Sequence, residues 1–285
     1  MLAAVALFGV LLLASAGDVD PASLEWKKPE AAADFKAATE AFDAGKFKEA
    51  HEAFKGLKKH AKNDETKRVV ESYQRGAEGG YRLAGLQAMA KSGDRHKAFQ
   101  EAEKSVANYR DTPIGAAFDK FVAELSAELF TWIENFESKG SRYSESKGKT
   151  FIDDPKFVRE GSRSLRWETG GDNTVLKVRG DQIPQDLSTY RALSVWILFE
   201  GRGLPFEFVF VSKGTAQQPV SGDTVKNGFF KSMKAHSGWQ RLEVPLAEFV
   251  SQGAATWNNI EDFRIQFSKG QKVTLYVDGI SLIKK

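Results

Sequence analysis

The chain contains no cysteine and only three methionines and four histidines among its 285 residues. Without cysteine there is no disulfide, no thiolate nucleophile or metal ligand, and no cysteine to carry a lipid anchor. The histidines, His51, His60, His96 and His236, fall into no His-Glu-x-x-His or comparable metal spacing, and His51 and His60 lie among lysines as solvated side chains do. There is no Gly-x-Ser-x-Gly elbow and no complete Gly-x-x-x-x-Gly-Lys-Thr phosphate loop. Charge of one sign is also lacking. Lys and Arg number 41 against 38 for Asp and Glu, a formal +3, so neither nucleic acid nor an anionic membrane is implied as an obligatory partner.

Long apolar runs are absent apart from one. MLAAVALFGVLLLASAG, at residues 1–17, is too short for a bilayer, which needs about 20 apolar residues, and ends in the small-x-small pattern Ala14-Ser15-Ala16. We read residues 1–16 as a signal peptide, 17–30 as a lead segment, and the mature chain as secreted or periplasmic with no transmembrane segment.

No proline occurs between Pro29 and Pro113, a stretch rich in Ala, Lys, Glu and Phe and poor in β-branched residues. That composition is helical. Phe35, Ala38 and Phe42, then Phe47, Ala50, Phe54 and Leu57, recur at three and four about Gly45, and a second version turns at Gly93 with Ala98 and Ala102 after it. Two helix pairs with glycine turns are expected. The glycines of RGAEGGYRLAG predict close packing or a break rather than a phosphate loop, since no strand precedes them. Gly45, Ala50, Phe54, Leu57 and Gly93, Ala98, Ala102 resemble the small-residue positions of tetratricopeptide repeats, although the two glycines are 48 residues apart rather than about 34. The resemblance covers residues 31–130 and implies a scaffold on which a protein partner docks.

From Thr131 the period changes to two. SLRWE, LSVWILF, FEFVFVS, WQRLEVPL, DFRIQFS and VTLYVDG are short runs rich in Val, Ile, Phe and Trp between polar turns, with no helix intervening. The expected fold class is therefore multidomain α + β, with helices over 31–130 followed by an antiparallel β-sandwich over 131–285.

Six segments in order carry a second resemblance: IENFES (133–138), FVREGSRSLRWE (157–168), YRALSVWI (190–197), GWQRLEVPLAEF (238–249), IEDFRIQF (260–267) and VTLYVDGISL (273–282). Together they resemble the galactose-binding-like jelly rolls of the carbohydrate-binding module superfamily, including the non-catalytic amino-terminal domains of chondroitin and hyaluronan lyases. The resemblance implies a polysaccharide or glycan as partner. It also implies that Glu137 and Asp278 approach one another and hold a structural calcium ion, with backbone carbonyls near Glu160 and Gly161 completing the oxygen set.

Alternation sorts the strand residues by face. Leu193, Val195, Ile197 and Phe199 form one inward row; Phe206, Phe208 and Phe210 a second; Phe263, Ile265 and Phe267 a third; and Leu242 with Val244 a fourth. Trp196, Glu207, Arg241, Arg264, Gln266 and Tyr276 are left pointing outward. Aromatic faces and planar polar groups are what a sugar requires, so these six are the expected binding constellation. Trp239 shares the outward parity of Arg241, but a bulge at Ser237-Gly238 would shift it into the framework. The leading expectation is an exported, non-catalytic glycan-binding protein. The alternative is an envelope protein-interaction scaffold in which the sandwich is structural.

Overall fold

The computed structural model describes residues 19–137, 148–170, 174–178, 182–200, 204–213, 227–234 and 236–285. The expected signal peptide lies outside them. The chain divides after Leu129 into a helical unit and a β unit.

The helical unit holds α1 (Glu30–Asp43), α2 (Phe47–Leu57), α3 (Asp64–Lys91), α4 (Arg95–Tyr109) and α5 (Gly115–Leu129). Glycine ends the first helix of each pair. Gly45, at φ 73°, donates to the Phe42 carbonyl while Lys46 donates to that of Ala41; Gly93, at φ 106°, and Asp94 repeat the arrangement on Ala90 and Met89. Each glycine occupies the left-handed position of a Schellman turn, where a Cβ would be strained. The start of α3 is capped by the Asn63 side chain, which accepts from the Thr66 amide at 2.7 Å.

The segment RGAEGGYRLAG does not break. It lies within the continuous 28-residue α3, whose Gly76, Gly79 and Gly80 are buried. A Cβ on Gly80 would stand 2.3 Å from the Phe47 ring, and one on Gly79 would stand 2.8 Å from both Ile114 and Tyr109. These glycines therefore admit neighbours close to the helix backbone. The aromatic centre they help to seat joins Phe35, Phe54 and Tyr73 at ring separations of 5.2 to 5.6 Å, largely edge to face.

In the β unit, one sheet runs in the order β2 (Lys149–Ile152), β3 (Ser164–Glu168), β11 (Thr274–Lys284), β5 (Tyr190–Glu200), β8 (Gly238–Pro245). The short strand β1 (Phe130–Glu134) also pairs with β11, Phe130 opposite Ile283. A second sheet runs β4 (Val175–Val178), β10 (Ile260–Gln266), β6 (Pro205–Ser212), β7 (Gly228–Lys234), β9 (Val250–Gln252). The pairings between these strands are antiparallel.

The four inward rows expected from alternation fill the space between the sheets, joined by Trp167, Leu275, Val277 and Phe229. Trp257 packs there too, stacked on Phe229. Leu246 and Phe249, just past Pro245, are buried at the sandwich edge. Burying each such side chain contributes roughly 1.5–3 kcal/mol before conformational entropy is set against it. Among the described residues no helix is long and apolar enough to cross a membrane.

Candidate functional site

Each sheet turns one face to the core and one away, and among the described residues a segment lies over the outer face of the first. On the first sheet, Ser194, Trp196 and Leu198 of β5 stand opposite Glu243, Arg241 and Trp239 of β8, while Tyr276 and Asp278 of β11 continue the same face. The run from Asp154 to Arg163, including a 3-10 turn at Pro155–Phe157, is drawn across it. The Phe157 ring stacks on Tyr276, centroids 4.4 Å apart and planes 7° from parallel. Asp278 Oδ2 accepts from the amides of Arg159 at 2.7 Å and Glu160 at 2.9 Å. Trp196 donates its indole N–H to Glu160 Oε1 at 2.9 Å, and Trp239 donates to the Lys156 carbonyl at 3.3 Å.

Glu137 grips the far end of the same segment. Its Oε1 accepts from the amides of Ser162 and Arg163, and its Oε2 from the Ser162 hydroxyl at 2.6 Å. Gly161 beside it has φ 67°, and a Cβ there would come within 2.4 Å of Glu137 Oε1. Only glycine satisfies both the backbone and the space. Burial alone would raise the Glu137 carboxyl, but the donors from Ser162 and Arg163 outweigh it and hold the group below its ordinary value. At Asp278 burial wins. It pushes the carboxyl up to about 6 against the amides of Glu160, Arg159 and Gly279, and the nearby Glu137 charge adds to the rise.

Three of the expected sugar contacts are thus structural members of a covered face. Tyr276 is buried beneath Phe157 and donates to Glu200 at 3.0 Å. Arg241 donates to the Ser194 hydroxyl and lies between the rings of Phe130 and Trp196, 4.9 and 5.8 Å away. No bulge shifts Trp239: its register against Leu198 is continuous with that of Arg241 against Trp196. It is half-buried on the outer face, with the Arg159 guanidinium 5.6 Å from its ring, and neither a core residue nor a bare platform.

The other three expected residues belong to the second sheet. Glu207 is on β6, while Arg264 and Gln266 are on β10. The six therefore form no single constellation, because sheets in a sandwich pack about 10 Å apart with their outer faces directed oppositely. Alternation told inside from outside on each strand, but not which sheet a strand joins.

On this second face, Gln266 stands opposite Glu207, which stands opposite Ser232 of β7. Gln266 donates to Glu207 Oε2 at 2.8 Å and the Ser232 hydroxyl to Oε1 at 3.3 Å. The three line a cleft of about 290 Å3 with Pro205, Phe206, Phe267 and Ser268. One row along, Arg264 is flanked by Lys177 of β4 and Val209 of β6. It was expected as an open guanidinium, yet it is only 6% exposed. Its Nε and Nη2 donate to the two oxygens of Asp262 at 2.8 and 3.1 Å, and Lys177 Nζ reaches the same carboxylate at 2.9 Å.

Asp262, Lys177 and Ser232 went unnoticed in the sequence. Asp262 shares the parity of Arg264 two residues on, so alternation held the signal for it. Lys177 and Ser232 needed the strand pairing. Chemically, the face offers a carboxylate, an amide and a hydroxyl side by side, with a paired charge network next to them. Such groups match vicinal hydroxyls, which both donate and accept.

Among the described residues no three His, Cys, Asp or Glu side chains gather as a metal site. One observation fits a cation nonetheless: Asp278 Oδ1 is buried with no hydrogen-bond partner and lies in the field of Glu137.

No curated protein matches the chain. Among solved structures, the family 30 carbohydrate-binding module of a Clostridium thermocellum cellulosomal cellulase is 15% identical, with 55% of this chain and 98% of that one covered and a TM-score of 0.41. The family 11 module from the same organism, in complex with a β-1,3-1,4-mixed-linked tetrasaccharide, is also 15% identical, covering 55% and 95% with a TM-score of 0.40. The family model described as carbohydrate binding domain 30 matches residues 128–284, more than half of the sequence and the whole of the sandwich, and the chain belongs to that family.

Proposed function

We propose that the chain is a non-catalytic binding protein that holds a polysaccharide on the outer face of its second sheet. The observation that carries this reading is the cleft at the edge of that face, since farther along it Val209, Val211, Asp262 and Arg264 are at most 6% exposed. The outer face of the first sheet is spanned by the 154–163 segment, to which Tyr276, Trp196 and Trp239 are committed. The second sets Glu207, Gln266 and Ser232 around a cleft, beside Lys177, Asp262 and Arg264. Family membership supplies the ligand class. The helical unit then presents the module or docks a protein partner, and the apolar run at residues 1–16 supports export of the chain.

Affinity electrophoresis of the full chain through gels containing neutral β-glucan, xylan or mannan tests the face. For whichever polymer retards the parent, Glu207→Ala with Gln266→Ala should weaken binding about tenfold or more, since two hydrogen-bonding partners are lost at about 0.5–1.5 kcal/mol each. Arg241→Ala, on the covered face, should leave it unchanged. The assignment fails if the double variant is retarded like the parent.

We propose calcium as a structural ion at Asp278 and Glu137. These two carboxylates alone do not fill a calcium shell, so other oxygens, carbonyls or water among them, must complete its six to eight. The unpartnered Asp278 Oδ1 supports the site. Adding calcium to chelator-treated protein at pH 7.5 should raise the melting midpoint, and Asp278→Asn should abolish the rise. An unchanged parental midpoint removes the ion from the protein.

A further inference from the structure

The helical unit carries a concentration of positive charge that the sandwich does not explain. Lys27, Lys55, Lys58, Lys59, Lys62 and Lys67 line a groove of about 580 Å3 together with Ala61, Asn63 and Asp64. Six ammonium groups thus face one lining carboxylate. They come from three separate places in the chain: the lead segment, the end of α2 with the turn after it, and the first turn of α3. Long-range bonds assemble them. Lys27 donates its amide to the His60 carbonyl, Lys62 donates to that of Glu25, and the Glu25 amide donates to the Thr66 hydroxyl. A Trp26–Ala61 bridge pins the lead segment alongside.

Part of this charge is answered. Lys58 meets Glu71 at 2.7 Å, Lys62 meets Glu25 at 3.4 Å and Lys55 meets Glu52 at 3.7 Å. Lys27, Lys59 and Lys67 make no ion pair with a carboxylate among the described residues, and all three are exposed. Like charges brought together from distant parts of a chain repel one another, and an anion in the groove relieves that repulsion.

We propose that this groove binds an anionic polysaccharide, a polymer bearing carboxylate or sulfate groups at intervals along its sugars. Ammonium groups act as point charges without the planar fork of arginine, and they suit anions spaced along a flexible polymer. The lining contains no arginine and no aromatic residue, so it offers neither bidentate phosphate recognition nor a surface on which bases stack. The one apolar residue of its lining, Ala61, is 7% exposed, so the lining itself offers nothing apolar to enter a lipid surface. The other unit of the chain belongs to a carbohydrate-binding family, which makes a second stretch of saccharide the fitting occupant.

The test uses the full chain and five probes: polygalacturonate, dextran sulfate, neutral dextran, a 20-base-pair DNA duplex and phosphatidylserine vesicles. Binding should be seen with polygalacturonate, dextran sulfate or both, the first two arms telling carboxylate from sulfate. It should fall about tenfold or more between 50 and 200 mM salt, as expected for three or more released counterions. The variant Lys27→Gln, Lys59→Gln, Lys67→Gln should bind about tenfold more weakly with an unchanged melting midpoint, whereas Lys120→Gln, an exposed lysine of α5 outside the groove, should bind like the parent. The proposal is overturned if neither anionic polysaccharide binds, if the lysine variant binds them as the parent does, if neutral dextran binds equally, or if DNA or vesicles bind more tightly than both.

Discussion

Replacing Asp262 by alanine is expected to destabilise the protein by about 3–5 kcal/mol, read as a lowered midpoint in urea. The carboxylate is 1% exposed and receives both the fork of Arg264 and the ammonium of Lys177. Its removal strands a guanidinium that is itself 6% exposed, with two donors unpaired. Such a charge has lost its hydration and gained nothing in return. Removing both members is a different experiment. Asp262→Ala with Arg264→Met should regain most of the loss, because an apolar pair of similar volume avoids the desolvation cost altogether, and Lys177, partly exposed, can turn to solvent. A parental midpoint in the single variant would refute this account. The comparison also bears on function: if the double variant is stable yet no longer held by polysaccharide, the network is kept for the ligand rather than for the fold.

The second large effect is one of pH. In calcium-free buffer, Asp278 titrates at about 6 in the folded chain against an ordinary 3.8. Between these values the unfolded chain has released the proton and the folded chain retains it, so stability falls as pH rises through the window. The full contribution is present below about pH 4 and lost above about pH 6. At roughly 1.4 kcal/mol per pH unit it amounts to about 3 kcal/mol. Asp278→Asn should remove this slope and equal or exceed the parent at pH 8, because the amide oxygen still accepts from Arg159 and Glu160. Glu137 slopes the opposite way, its carboxyl being held low, so the difference between variant and parent isolates Asp278. A difference in unfolding free energy that stays constant from pH 4 to pH 8 would contradict the assignment.

How far the fold was legible depended on the range of the interaction. The glycines at 45 and 93, and the apolar rows from Leu193 to Phe199 and from Phe206 to Phe210, act through neighbours within a turn or along one strand, and periodicity revealed them. The continuity of α3 through Gly76, Gly79 and Gly80 was open between packing and a break, since its answer lay in Phe47, Tyr109 and Ile114 on other elements. The binding face was legible only by halves. Trp196 and Gln266 have the same outward parity, but nothing near either residue says that β5 pairs with β11 while β10 pairs with β6. The cover over the first face was hidden for the same reason: Arg159 and Glu160 reach Asp278 across more than a hundred residues. Arg264 has the parity of an open group, but its guanidinium is closed by Asp262 two positions before it.

The antiparallel pairing of β1 with β11 places Phe130 against Ile283, so the chain enters and leaves the sandwich side by side. A unit whose two ends meet occupies the footprint of a single turn, and it fits into a loop of another protein without forcing the host's strands apart. The same geometry sets its mechanics. Tension applied through the two ends would open the β1–β11 ladder one bond at a time, as a zipper does, instead of loading all the bonds in shear. The module is portable by its topology, and weakest along the line by which it is attached.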